Sequence, residues 1–152
     1  MARITGVPIT NGVVSTLYHS EQQSLPAGPL ISAFLPSHQT AIAQLANAYC
    51  GQLIGTQSLR DAFFGAGLDG SINGGAAAFF GASGSANRGI VINALVNNAV
   101  GANVTPAAAG AVRSEVDALL THVPTLKSGV TVAAATTAAC AAVLGSAVVS
   151  LQ

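Results

Sequence analysis

An all-α bundle of five or six helices is the fold this sequence predicts, and three observations carry it. The 51% hydrophobic fraction rests on Ala, Val and Leu, with five Phe, two Tyr and no Trp. Small aliphatic side chains suit close helix contacts better than a sheet sandwich. Apolar residues recur at helical spacing between Ser, Thr and Pro punctuation. Beyond Lys127 the chain carries no charge, which reads as a helix hydrophobic all round and therefore central. A length of 152 residues fits one helical domain, 1–152.

The elements follow in order. TNGVVSTLYHSEQQSLP reads as a first helix, with Thr10 as cap, Val13, Val14, Leu17 and Tyr18 as inward face and Pro26 as stop. In FLPSHQTAIAQLANAYCGQLIG, Pro36 and Ser37 open a helix whose Ile42, Leu45, Ala46, Tyr49 and Leu53 keep amphipathic spacing. TQSLRDAFFG gives a short helix, capped by Ser58, burying Phe63 and Phe64 and ended by Gly65.

Residues 65–89 crowd glycine among Ser, Asn and Ala, broken by the apolar AAAFF at 76–80. The stretch reads as a long Gly-rich loop with one anchor, and loops of this length carry contacts or are disordered. As a contact it offers Gly67, Asp69, Asn73, Phe79 and Phe80 for assembly. NRGIVINALVNNAVG supplies Ile90, Val91, Leu95 and Val96 for a short buried helix, although its IVI run also fits a strand. VTPAAAGAVRSEVDALLTHVP is punctuated by Thr105 as cap, Pro106 at the first helical position and Pro124 as stop. Its inward face is Val112, Val116, Leu119, Leu120 and Val123, with Arg113 and Asp117 four apart on the other side.

The last element, Val130 to Leu151, is the expected packing axis, with Gly145 permitting close approach. It is long enough to cross a bilayer, but its Ala, Ser and Thr content makes it a weak inserter. A membrane-anchored bundle is therefore a lesser reading.

Charge narrows function. Asp, Glu, Lys and Arg make up 7% of the chain, five basic against five acidic, where soluble proteins carry about 25%. A surface of Gly, Ala, Ser, Thr, Asn and Gln costs little to desolvate, which suits a subunit buried by its neighbours. Five scattered cations give no phosphate-binding patch, so nucleic acid is not an expected partner. MARITGVPIT lacks the apolar core of a secretory signal, so either the protein stays inside or the chain is a mature piece, with Met1 internal to a longer precursor or a signal already removed.

Cys50 and Cys140 both fall on apolar helix faces. One bridge between them is the preferred reading and implies an extracytoplasmic location; two free buried thiols are the alternative.

Catalytic and cofactor patterns are weak, so neither an enzyme nor a bound cofactor is expected. His38 opens its helix with no second ligand at i+3 or i+4, and reads mainly as a helix-start hydrogen bonder. With His19 and His122 it builds a haem or metal electron-transfer site only if the fold gathers them, for there is no C-x-x-C-H or H-E-x-x-H. GAGLDG at 65–70 has the letters of a phosphate loop without its strand-to-helix setting. Asp69 and Asn73 are too few oxygens for tight calcium binding. Asp61, Glu115 and Asp117 read as solvated or paired with Arg60 and Arg113. Asn103-Val104-Thr105 is a formal glycosylation triplet in which Thr105 is better used as a cap.

The blocks TGVPIT, QQSLP, FLPSHQTAIAQLANAYCGQLI, LRDAFF and AACAAVLGSAVVSLQ, in that order, resemble the helical region of large bacterial secreted or surface proteins that also carry laminin-G-like jelly-roll domains. The matching pieces cover about half the chain and leave out the Gly-rich stretch. The resemblance implies a secreted helical module in which Cys50 and Cys140 pair; it implies no activity, and no carbohydrate binding carries over. The combined expectation is an extracellular or cell-surface structural subunit. Its partner would be itself, in a filament, layer or sheath, with a glycan coat keeping it solvated.

Overall fold

The computed structural model describes residues 1–25, 36–100 and 105–146. Its architecture starts from two helices, α3 (Pro36–Gly55) and α8 (Val132–Leu144), which make the most extensive interhelical contact in the molecule. Thr131 caps α8 by accepting the Ala134 N–H at 3.2 Å. From there Val132, Ala135, Thr136, Ala139, Cys140, Val143 and Leu144 are buried in an unbroken three-and-four spacing, with Ala and Thr between them. The facing stripe of α3 is Ala46, Tyr49, Cys50, Leu53 and Ile54.

Small residues let the two backbones come close. A methyl group added at Gly145 would stand 3.8 Å from both Ala43 Cα and Ala46 Cβ. Cys50 and Cys140 are joined by a disulfide across this seam, with Cα atoms 5.8 Å apart. The expected central helix and the expected bridge are both present. The continuation of α8 toward Leu151, the stop at Pro26 and the triplet at Asn103 and Val104 lie outside the described residues.

Other helices pack around this pair. A short α1 (Ala2–Thr5), which the periodicity did not reveal, and α2 (Gly12–Ser24) lie on α3. Asn11, not Thr10, caps α2: its Oδ1 accepts from the Val13 and Val14 N–H groups, and its amide donates to Gln52 Oε1 at 3.1 Å. On the far side of the chain's order, α7 (Pro106–Leu126) packs against α8 and against α5 (Ala76–Phe80) and α6 (Ser85–Leu95). Thr105 and Pro106 start α7 as expected. Pro124 does not stop it; the helix runs two residues further. In the last turn a proline forfeits one backbone hydrogen bond rather than breaking a ladder. The expected Arg113–Asp117 pair is also replaced, since Asp117 takes Arg88 from α6 at 2.7 Å and Arg113 turns to Asn93.

The Gly-rich stretch is a correction. Residues 65–89 are not one long loop but a 3-10 turn (Ala66–Ser71), the helix α5 and the start of α6. Gly65, at φ +74°, ends α4 (Gln57–Phe64) in the left-handed region. Then Leu68, Ala76 and Phe80 enter the core. Between them residues 72–76 run antiparallel to 130–133, through Ala76 N–H to the Val130 carbonyl, Val132 N–H to Gly74 and Ala133 N–H to Ile72. A glycine-weighted reading sees turns here; three buried side chains and one bridge decide the outcome.

Two measurements check this packing. The disulfide closes a sequence separation of 90 residues, so reduction is expected to lower unfolding free energy by about 4–5 kcal/mol on the loop-entropy argument, read as a lower denaturation midpoint under reductant. Thr136 is fully buried and its hydroxyl has no hydrogen-bond partner among the described residues. Thr136→Val, of the same shape, is expected to stabilise by about 1–2 kcal/mol; a loss of stability in the same denaturation assay would show the hydroxyl to be satisfied.

Candidate functional site

Helix ends in this chain are closed largely by side chains. Arg60, on α4 and buried, sends Nη1 to the Ile54 carbonyl at 2.7 Å. Arg88 sends Nη1 to the carbonyls of Phe80 and Gly81 at 2.6 and 2.7 Å, and Asn98 donates to the Phe63 carbonyl at 3.0 Å. Both arginines use the rest of their guanidinium on a carboxylate, Arg60 on Asp69 at 2.6 Å and Arg88 on Asp117. Cations placed at helix C-termini meet both the orphan carbonyls and the negative end of the dipole.

Asp69 therefore belongs to a polar knot with Arg60, Gln57 and Asp61, where Arg60 was expected to pair with Asp61 instead. The Arg60 hydrogen bond is the leading cause that holds Asp69 below the usual carboxylate range. Asp61 is pushed above that range, first by its hydrogen bond to Asp69 and then by burial. Of the other expected assembly residues, Gly67 and Asn73 are exposed and Phe79 is half-buried. Phe80 is fully buried, so its side chain is core and not contact surface. His38 is half-buried at the start of α3, while His19 and His122 are exposed on α2 and α7. Among the described residues no three His, Cys, Asp or Glu gather as a metal set, and no helix is long and apolar enough to cross a membrane.

The exposed apolar surface lies elsewhere. Ile9, Val13 and Tyr18 are 68%, 55% and 52% exposed, all at the N-terminal side of α2. Ile9 and Tyr18, but not Val13, border a groove of about 580 Å³ whose other walls are Met1, Val14, Leu45 and Tyr49, with Thr10, Ser15 and His19 completing it. Tyr18 and His19 meet edge to face, ring centroids 5.8 Å apart. Tyr49, only 6% exposed, belongs to the core and forms the floor of this groove. Burial pushes its pKa up, which keeps it a neutral O–H donor. A second groove, about 640 Å³ and almost wholly apolar, runs between α7 and the end of α8, lined by Ala108, Val112, Leu119 and Val143.

Sequence reasoning placed Val13 and Tyr18 on the inward face and so missed this surface. The signal was present: Val13, Val14, Leu17 and Tyr18 occupy two adjacent columns of a helix that rests on α3 alone among the longer helices, and one column suffices for that contact. The chain matches no family model, no curated protein and no solved structure.

The Asp pair sets a pH dependence. A depressed carboxyl contributes stability that is complete above its unfolded pKa and lost as pH falls through the folded one; a raised carboxyl contributes stability in acid that is lost as pH rises through its folded pKa. Asp69 is the first kind and Asp61 the second. Asp61→Asn, whose amide donates to Asp69 without needing a proton, is expected to raise the melting temperature at neutral pH and to leave it near wild type in mild acid. A melting curve shifted equally at both pH values would refute the raised Asp61 carboxyl as the cause.

Proposed function

We propose that the protein is a secreted structural subunit that self-assembles into an extracellular filament, layer or sheath. The carrying observation is the pair Ile9 and Tyr18, two large apolar side chains exposed at the rim of one groove, with Val13 exposed elsewhere on the same helix. Exposed apolar patches of this kind mark contact surfaces. The surrounding surface favours burial, because four of the ten charged side chains, Arg60 with Asp69 and Arg88 with Asp117, neutralise one another within the subunit. Little desolvation cost then opposes association.

The Cys50–Cys140 disulfide supports an oxidising compartment, in line with the secreted module implied by the sequence resemblance. A non-catalytic role fits the tasks of the strongest polar groups, which cap helices and join elements. In this reading the N-terminal face is the principal contact, with exposed Gly67 and Asn73 of the 3-10 segment as secondary candidates.

Electron microscopy of unreduced protein without detergent tests this directly. Regular polymers are the expected result, and monodisperse particles at high concentration would overturn it.

A further inference from the structure

We infer that the apolar groove along α7 and the end of α8 is a two-fold contact, in which a second copy of this chain lays its own α7 antiparallel to the first about an axis between Ala118 and Leu119. The inference rests on the self-assembly proposed above and names one contact within it.

The pattern along α7 comes first. With about 3.6 residues to a turn, Ala111, Glu115, Ala118, Leu119, His122 and Leu126 share one stripe of the helix. The first five line the groove of about 640 Å³, and Leu126, 69% exposed, continues the stripe beyond it. Val116 and Leu120 take the neighbouring face of α7 into the core. Ala142 and Val143 of α8 form the opposite wall, so the stripe is flanked by further small apolar side chains. A helix of 21 residues presents this surface over about 31 Å.

The stripe is complementary to itself. In an antiparallel pair with its two-fold axis between 118 and 119, residues equally far from the axis in opposite directions meet, and each meeting occurs twice. Ala118 then meets Leu119 of the second copy, Glu115 meets His122, and Ala111 meets Leu126. Leu126, the most exposed large apolar side chain among the described residues, thus falls on an alanine. A parallel pair in register would instead set Glu115 on Glu115 and Leu126 on Leu126.

Charge supplies the second, independent observation. Glu115 and His122 are exposed, two turns apart, and the groove's remaining described lining carries no charge. Among the described residues neither side chain makes a hydrogen bond or an ion pair, whereas Asp69 and Asp117 are held by arginines within the subunit. An imidazole has an N–H to donate in either protonation state, so His122 of one copy can donate to the Glu115 carboxylate of the other. The apolar stripe provides the attraction, and the two polar pairs fix direction and register. A two-fold contact closes on itself and yields a dimer, which leaves the Ile9 and Tyr18 face to join one dimer to the next.

An engineered cross-link tests the geometry. Ala118→Cys puts a thiol beside the axis, and air oxidation is expected to join two copies by a disulfide, read as a dimer on a non-reducing gel. Ala107→Cys is also exposed, but the same geometry holds its two copies more than about 30 Å apart, so it stays unlinked. Adding His122→Glu to Ala118→Cys sets like charges opposite one another twice, and adding Glu115→Lys together with His122→Lys does so with the other sign. Each of these alone, with wild-type circular dichroism, is expected to lose the cross-link at least about tenfold, and their equimolar mixture to regain it. A cross-link that persists beside His122→Glu, or a mixture that regains nothing, overturns the contact. If Ala118→Cys stays unlinked while the protein still polymerises, this contact is wrong and self-assembly stands. A wild type that stays monomeric, its groove taken by residues 147–152 or by another partner, overturns both.

Discussion

The close seam between α3 and α8 is the constraint on which the rest of the structure depends. Its width is set by Ala, Gly, Thr and Cys side chains, and interiors of this density tolerate little change in volume. Because α8 is buried along one continuous face and clothed in small residues elsewhere, neighbours can approach it on several sides. α3 brings α1, α2 and α4 to one flank, and α7 with α5 and α6 covers the other. The disulfide joins the middle of this seam, so both flanks are referred to a single covalent point. A core of Ala and Val buries less apolar area per residue than one of Leu and Phe, and here the cross-link adds stability through the unfolded chain instead.

Charge scarcity then shapes everything outside the seam. A chain with five basic residues places two of them, Arg60 and Arg88, where each closes a helix end and binds a carboxylate. Asn87, Asn98 and Gln39 perform the same closing task with amides, at Phe79, Phe63 and Gly145. Polar side chains are thereby drawn inward to the backbone. What faces outward carries few charges, Arg3, Glu115 and Lys127 among them, and so sparse a set of charges opposes the approach of a second copy weakly.

The helical class, the central α8 and the pairing of Cys50 with Cys140 were legible in the sequence because each is a property of one periodic segment or of two cysteines alone. Local punctuation was legible where the chemistry was unambiguous, as with Thr105, Pro106 and Gly65. It failed where two residues competed, as Asn11 did with Thr10, since the cap is decided by which side chain reaches the first free N–H groups. The Gly-rich segment failed for another reason. Its order comes from Leu68, Ala76 and Phe80 reaching a core built by distant helices, and from a bridge to residues 130–133; composition carries no trace of such partners. The groove failed in the same way, because whether Val13 and Tyr18 are inside depends on how many helices lie against α2, which no window of sequence contains.

The end of α7 shows the same economy. The helix runs through Pro124 into a terminus with no backbone cap, and the Thr125 hydroxyl donates to the His122 carbonyl at 2.7 Å in its place. Exposed Thr125 and Leu126 leave the remaining carbonyls to water, so this end costs the fold little. In the proposed assembly the driving force is then apolar area, from side chains such as Ile9 and Tyr18, set against a low desolvation cost. Long-range charge has little part in such a contact, which leaves association nearly independent of ionic strength.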